Sequence, residues 1–274
     1  MKMDKVWLAE MTWEEVKEAV AEGRIAVLPV GATEQHGRHL PVDTDTLLVD
    51  SVIREAAKYF RQMVVCPALP YGNSTHHLSY PGTISLGLHT FIEAVAEIVL
   101  CLGQHGFRKI LLLNGHGGNR GPLNVAARLA QERSPTPLLL ALANYYSFGA
   151  QAIQAEVRES GQGGMAHACE YETSLYLYFK PELVKMDRAV RRIPVSPIPE
   201  YIHADLMGDS PIALMVSELE PIAAARDYTF SESGVAGDPT LASAEKGRKI
   251  LERVMADLVG FLTRFYEIDN VEQS

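Results

Sequence analysis

A chain of 274 residues, 47% of them hydrophobic, can bury one large core, and its net charge of −9 leaves no broad basic surface for a nucleic-acid backbone. Cys66, Cys101 and Cys169 are too scattered for a thiolate metal site, and the N-terminal region carries neither a signal peptide nor a membrane-spanning run. The expectation is therefore a cytoplasmic enzyme or binding protein with no nucleic-acid or membrane partner, the short cluster from Arg188 to Arg192 being a solvated loop.

The first apolar run, 25–30, reads as a buried strand. Just beyond it Glu34 and His36 lie two apart, so an extended chain turns both to one side while Gln35 turns away. Asp43-Thr44-Asp45 follows, ahead of a helix over 45–60. A carboxylate, an imidazole and a second carboxylate this close suggest a metal; the other reading is a polar loop in which Thr44 or Asp45 caps the helix starting near Thr46. A strand over 63–69 and a helix over 90–105 come next. The run 109–113 then enters Asn114-Gly115-His116-Gly117-Gly118-Asn119 directly. This puts His116 at the carboxyl end of a buried parallel strand, where open α/β sheets bind ligands. The dinucleotide fingerprint fails, because its third glycine would fall on Arg120, and no phosphate-loop Lys-Ser/Thr follows.

A helix over 119–132 and a strand over 137–143 continue the alternation. Tyr145, Tyr146 and Phe148 read as core, with an aromatic pocket wall as the alternative. His167 and Glu170, three apart, share a face if their segment is helical, whereas Glu172 points elsewhere. Prolines at 194, 197, 199, 211 and 221 break regular structure, so about 185–235 reads as loops and short strands forming a lid or subunit contact. Ile250, Val254, Leu258 and Leu262 then mark a long helix over 240–266. The alternation predicts an α/β fold: one domain over 1–274, three-layered (α/β/α), with a mainly parallel central sheet.

Several ordered segments resemble the creatininase (creatinine amidohydrolase) family: Gly31-Ala32-Thr33-Glu34-Gln35-His36-Gly37, Leu40-Pro41-Val42-Asp43-Thr44-Asp45-Thr46, Tyr80-Pro81-Gly82-Thr83, the Asn114–Asn119 run and Glu172-Thr173-Ser174. Gly234-Val235-Ala236-Gly237-Asp238-Pro239-Thr240 extends the likeness. The resemblance implies a homohexameric hydrolase with two divalent ions per chain, zinc first and manganese or iron otherwise. It implies metal ligands at Glu34, His36, Asp45 and His116, with Asp45 bridging. The family's glutamate two residues after the motif histidine is Gly118 here, so Glu170 is expected to replace it as a ligand and to act in catalysis. His167 aligns with the catalytic histidine, Glu172 is expected to orient a neighbour, and Ser74 and His77 lie in a segment resembling the loop that lines the substrate pocket.

Imidazole and carboxylate without thiolate suit zinc, manganese or iron. Two such ions share a bridging water, acidify it and polarise a carbonyl, and His167 then protonates the leaving amine. No Gly-x-Ser-x-Gly elbow is present, so no acyl-enzyme is required. The expected substrate is a small cyclic or N-acyl amide, cleaved at carbon–nitrogen. Creatinine itself is disfavoured, because the tryptophans that close the family's pocket have no counterpart: the chain has only Trp7 and Trp13. The alternatives are ring opening of a cyclic ketone such as a keto-inositol, a formamide deformylase or peptidase of the same family and, outside it, a two-metal phosphoesterase using Arg38 or Arg120.

Overall fold

The computed structural model describes residues 5–193, 205–206 and 232–268. The segment at about 185–235, expected to form a lid or subunit contact, therefore lies for the most part outside the described residues. Four strands make one parallel sheet: β1 (Ile25–Val30), β2 (Met63–Val65), β3 (Lys109–Asn114) and β4 (Leu139–Asn144), in the order β2-β1-β3-β4. The helices are α1 (Trp13–Ala21), α2 (Thr44–Ala56), α3 (Leu88–Gln104), α4 (Arg120–Arg133), α5 (Ala150–Glu156), α6 (Glu170–Phe179) and α7 (Ala244–Glu267). A small antiparallel pair, β5 (Met165–His167) and β6 (Ala236–Gly237), stands apart from the sheet.

Both faces of the sheet are covered, which is why its strands are apolar without alternation. Ile25, Val27, Leu111 and Leu113 point into one core with Leu48 and Val52 of α2, Leu175 of α6 and Val254 and Leu258 of α7. Ala26, Leu28, Ile110 and Leu112 point into the other, against Phe91 and Val95 of α3, Leu123 and Ala126 of α4 and Ala19 of α1. The result is the expected three-layer α/β/α arrangement. Each buried Leu, Ile or Val contributes about 1.5–3 kcal/mol, so these two clusters anchor the sheet that aims the site.

Two elements depart from expectation. The strand over 63–69 pairs with β1 continuously only from Met63 to Val65 and again at a single bridge between Leu69 and Val30, because Pro67 has no N–H to continue a ladder. Cys66 and Leu69 still donate to the main chain of β1, at 2.8 and 3.0 Å. Helix α1 was not anticipated, although Thr12 and Glu15 spell a capping box: the Glu15 N–H donates to the Thr12 hydroxyl and the Thr12 N–H to the Glu15 carboxylate.

From β1 the chain crosses to β2 on one side and later returns to place β3 on the other. That reversal makes the β1/β3 boundary the switch point, with a crevice at the strands' carboxyl ends. Val30, Asn114 and Asn144 lie in register there, so the loops after β1 and β3 leave side by side.

Candidate metal centre

The loop after β1 delivers Glu34 and His36, both fully buried. Gly31 lets it pass against α2, since a Cβ there would lie 2.4 Å from Thr46 Oγ1. Thr44 and Thr46 spend their hydroxyls on Pro41 O and Ala32 O, at 2.7 and 2.9 Å. Helix α2 begins at Thr44 with no side-chain cap, so Asp45, in its first turn and 3% exposed, faces the crevice rather than its own backbone.

The loop after β3 is built around His116. Asn114 accepts from the His116 N–H through Oδ1 and donates through Nδ2 to His116 O and Asn144 Oδ1. Asn119 ties the loop to Gly31 O and to the Asn73 N–H. The ring places Nε2 within 3.2 Å of Asn73 O and 3.3 Å of Ser74 Oγ. Since Asn73 O only accepts, Nε2 carries the proton and Nδ1 is left to face Glu34 and Asp45. Gly118 cannot be any larger residue here, because a Cβ would lie 2.4 Å from His116 Nε2 and 2.6 Å from Asn73 O.

Around Asp45 the geometry divides in two. Its Oδ2 lies 3.0 Å from His116 Nδ1, beside Glu34, whose Oε1 is 3.3 Å from the same nitrogen. Its Oδ1 lies 3.2 Å from His36 Nε2, beside Glu172, whose Oε1 is 3.7 Å from that nitrogen. Glu34, Asp45 and His116 thus form one group of convergent ligand atoms and His36, Asp45 and Glu172 another, with Asp45 common to both. Both Glu34 oxygens, His36 Nε2 and Asp45 Oδ2 are buried without a hydrogen-bond partner.

Three buried carboxyl groups this close favour positive charge beside them, and the neighbouring imidazoles respond to it. Burial alone would lower His116, but Glu34 and Asp45 push it up to about 10; His36 is likewise raised by Asp45 and Glu172 against its burial. Burial alone would raise Asp45, yet His36 and His116 hold it well below the ordinary carboxylate range. Orphaned oxygens, a donor set of Asp and Glu oxygen with His nitrogen, and imidazoles driven toward the charged form by their carboxyl neighbours all fit a pair of divalent ions.

Glu170 is not part of this arrangement, which corrects the expectation that it replaces the carboxylate missing at Gly118. The helical face proposed for His167 and Glu170 does not exist: His167 ends β5, Ala168 has a left-handed φ of 50°, Cys169 is extended, and α6 starts only at Glu170. From there Glu170 points away, to Lys246 of α7 at 2.5 Å and to the N–H groups of Glu159 and Ser160. Burial would raise its pKa, but Lys246 and Ser160 outweigh that and hold it low. Residues two apart on a helix point to nearly opposite sides, so Glu172 turns into the centre. One of its oxygens accepts from the Cys169 N–H at 3.3 Å while the other faces His36. The rest of its motif is structural, with Thr173 Oγ1 2.9 Å from His39 Nε2 and Ser174 Oγ accepting from the Ser243 N–H before α7.

His167 is also placed here, its Nδ1 3.6 Å from Glu34 Oε1 and its ring 4.3 Å from that of His36. Burial and the neighbouring His36 push it down to about 3. His77 brings Nε2 to 3.3 Å from Glu34 Oε1, and Ser74, fully buried, touches His116. His76, assigned no role of its own from sequence, groups with Glu34 and His77. Gln35 was expected to turn away; instead its amide reaches His77 and His167. Tyr145 and Tyr146 are core, as the first of the two readings had it, and Phe148 packs on Phe261.

The creatininase family model, described as creatinine amidohydrolase, matches residues 9–262. The chain belongs to the creatininase family. It is a hydrolase. Over 260 residues it is 31% identical to the creatinine amidohydrolase of Pseudomonas putida, covering 90% of this chain and 92% of the relative. It is 31% identical to the mycofactocin precursor peptide peptidase of Mycobacterium tuberculosis (87% and 84% covered). It is 30% identical to the 3-dehydro-scyllo-inosose hydrolase of Thermotoga maritima (91% and 80% covered). A crystal structure of creatininase superposes with a TM-score of 0.82 at 27% identity, covering 97% of this chain and 99% of that one. A manganese creatininase and a mutant creatininase of Zn-Zn type each give 0.81 at 28% identity, with 96% and 99% covered. Among the described residues no helix is long and apolar enough to cross a membrane.

Proposed function

We propose that this creatininase-family hydrolase is a binuclear metal enzyme cleaving the carbon–nitrogen bond of a small cyclic or N-acyl amide. The observation that carries the reading is Asp45, which turns its two oxygens to two different histidines, each backed by a further buried carboxylate. Glu34, Asp45 and His116 would hold one divalent ion, and His36, Asp45 and Glu172 the other. Bound there, such ions supply Lewis acidity toward a carbonyl and acidify water near neutrality. His167, at the edge of the cluster, carries the proton that the departing nitrogen needs. Ser74 holds the second nitrogen of His116 in place, and His77 lies against the Glu34 oxygen that faces His116. A screen of cyclic amides, N-acyl compounds, formamides, short peptides and phosphoesters with the metal-loaded protein tests the reading, and phosphoester hydrolysis alone would overturn it.

Glu172 and Glu170 separate cleanly by experiment. Glu172→Ala is expected to lose one of the two ions, whereas Glu170→Ala retains both. The latter change should instead destabilise the fold by about 1.5–3 kcal/mol, because Lys246, only 11% exposed, loses its nearest counter-ion and keeps Glu159 at 3.1 Å and the Leu241 carbonyl. Elemental analysis and denaturant unfolding read the two effects, and full metal content in Glu172→Ala would remove it from the ligand set.

Relatives of equal identity act on three different substrates, so the wall around the centre decides what is bound. Here Trp7 lies against Arg54 in the last turn of α2, while Asp45 is in its first, and Trp13 is 75% exposed at the start of α1. Without a tryptophan lid, a flat and nearly uncharged ring loses stacking and desolvation, and ground-state binding suffers first. Creatinine is therefore expected to show a raised KM and poor kcat/KM. Efficient creatinine hydrolysis in a steady-state assay would overturn that expectation.

A further inference from the structure

Gln35 carries no charge, yet its buried side chain lies against two imidazoles of the centre. The amide nitrogen is 2.9 Å from His77 Nδ1, 3.0 Å from His167 Nε2 and 3.0 Å from Gly234 O. The amide oxygen accepts from the Gly37 N–H at 2.9 Å. A main-chain N–H only donates and a carbonyl only accepts, so Gly37 must face the oxygen and Gly234 the nitrogen, and the amide has one orientation. Gly234 is itself constrained: its φ is +71°, and a Cβ there would lie 2.0 Å from Gln35 Oε1.

The hydrogens can then be counted. The amide has two, and one goes to Gly234 O. The other has two candidate acceptors. His167 Nε2 lies 2.9 Å from the main-chain oxygen of Gln35, which only accepts, so that nitrogen carries a proton and cannot take another. The second amide hydrogen therefore goes to His77 Nδ1.

The geometry points to Gln35 as a positioning residue that sets the protonated nitrogen of both imidazoles, His77 through its side chain and His167 through its main chain. Neutral His77 then holds its proton on Nε2, aimed at Glu34 Oε1 at 3.3 Å. Neutral His167 keeps its lone pair on Nδ1, which lies 3.6 Å from Glu34 Oε1, too far for a hydrogen bond. The two histidines thus share a tautomer but not a part: His77 donates toward Glu34, and His167 keeps a nitrogen able to take a proton from water. The catalytic consequence rests on the hydrolase reading above. His167 Nδ1 takes a proton from water as its oxygen bonds to the carbonyl carbon, then passes that proton to the nitrogen as the carbon–nitrogen bond breaks, so OH ends on carbon and H on nitrogen.

Long-range 15N–1H correlation spectra of the full chain, metal-free and labelled at histidine, read the tautomers directly. Both His77 and His167 are expected as Nε2–H forms. In Gln35→Glu, whose carboxylate accepts where the amide donated, His77 should gain a proton on Nδ1, either as the Nδ1–H form or, with Glu34 at its other nitrogen, as imidazolium, while His167 stays unchanged. An Nδ1–H form of His77 in the unsubstituted chain, or a bare Nδ1 in the variant, overturns the assignment; the first result stands even if the variant does not fold. Zinc uptake is measured separately on the unsubstituted chain. Correct tautomers without zinc uptake would sink the metal-hydrolase reading alone, and zinc uptake with the wrong tautomers would sink the role of Gln35 alone.

Discussion

Alanine at position 45 is expected to leave the protein with neither of the about two ions per chain proposed for the unsubstituted enzyme. The two groupings share Asp45 and little else, with Oδ2 serving the His116 side and Oδ1 the His36 side. Removing it leaves one histidine and one glutamate on each side, too few for a closed site among N and O donors. The effect should also appear in stability. A ligand that binds only the folded state at a thousand times its Kd adds about 4 kcal/mol, so excess zinc should raise the melting temperature of the unsubstituted chain. The same addition should leave Asp45→Ala unmoved. Asp45→Asn, which keeps the volume but loses the charge, serves as the control for packing. One ion retained in Asp45→Ala by elemental analysis would show that the residue serves a single site.

The parts of this centre that could be read from sequence are those set by local rules. Glu34, His36 and His116 each sit within a few residues of a strand's end, and Asp45 sits at the start of the next helix. Strand direction and a parallel sheet then bring them together without further information. Glu170 and Glu172 could not be sorted in that way. Which of them enters the site depends on a left-handed turn at Ala168 and on Lys246, whose place in α7 claims Glu170 from far along the chain. A non-glycine residue at positive φ costs about 1–2 kcal/mol and leaves no mark in the pattern of apolar residues. Gln35 failed for a related reason. Alternation along an extended chain correctly separates it from Glu34 and His36, but the loops bearing His77, His167 and Gly234 close over that second side. Helix α1 was legible after all, in the Thr12 and Glu15 spacing, and needed only the capping rule.

Alanine at position 167 is expected to lower turnover by a factor on the order of 10²–10⁴ while both ions stay bound, the range for loss of a general acid or base. The argument is one of distance and place. His36 and His116 approach Asp45 at 3.2 and 3.0 Å, whereas the carboxylate contact of His167 is 3.6 Å and its side chain is 15% exposed where theirs are 0% and 5%. Of the three it is therefore the farthest from a carboxylate and the most exposed, as a residue meeting the departing nitrogen of the proposed reaction would be. Its proximity to Glu34 and His36 also makes it a conceivable ligand, and the two roles predict different results. A proton carrier can be removed without loss of metal, and the fall then appears in kcat and kcat/KM together, as for an interaction made only in the transition state. A ligand cannot be removed so cleanly. If His167→Ala loses an ion in step with its activity, the residue belongs to the metal; if it keeps full activity, the proton that the leaving nitrogen requires comes from elsewhere in the site.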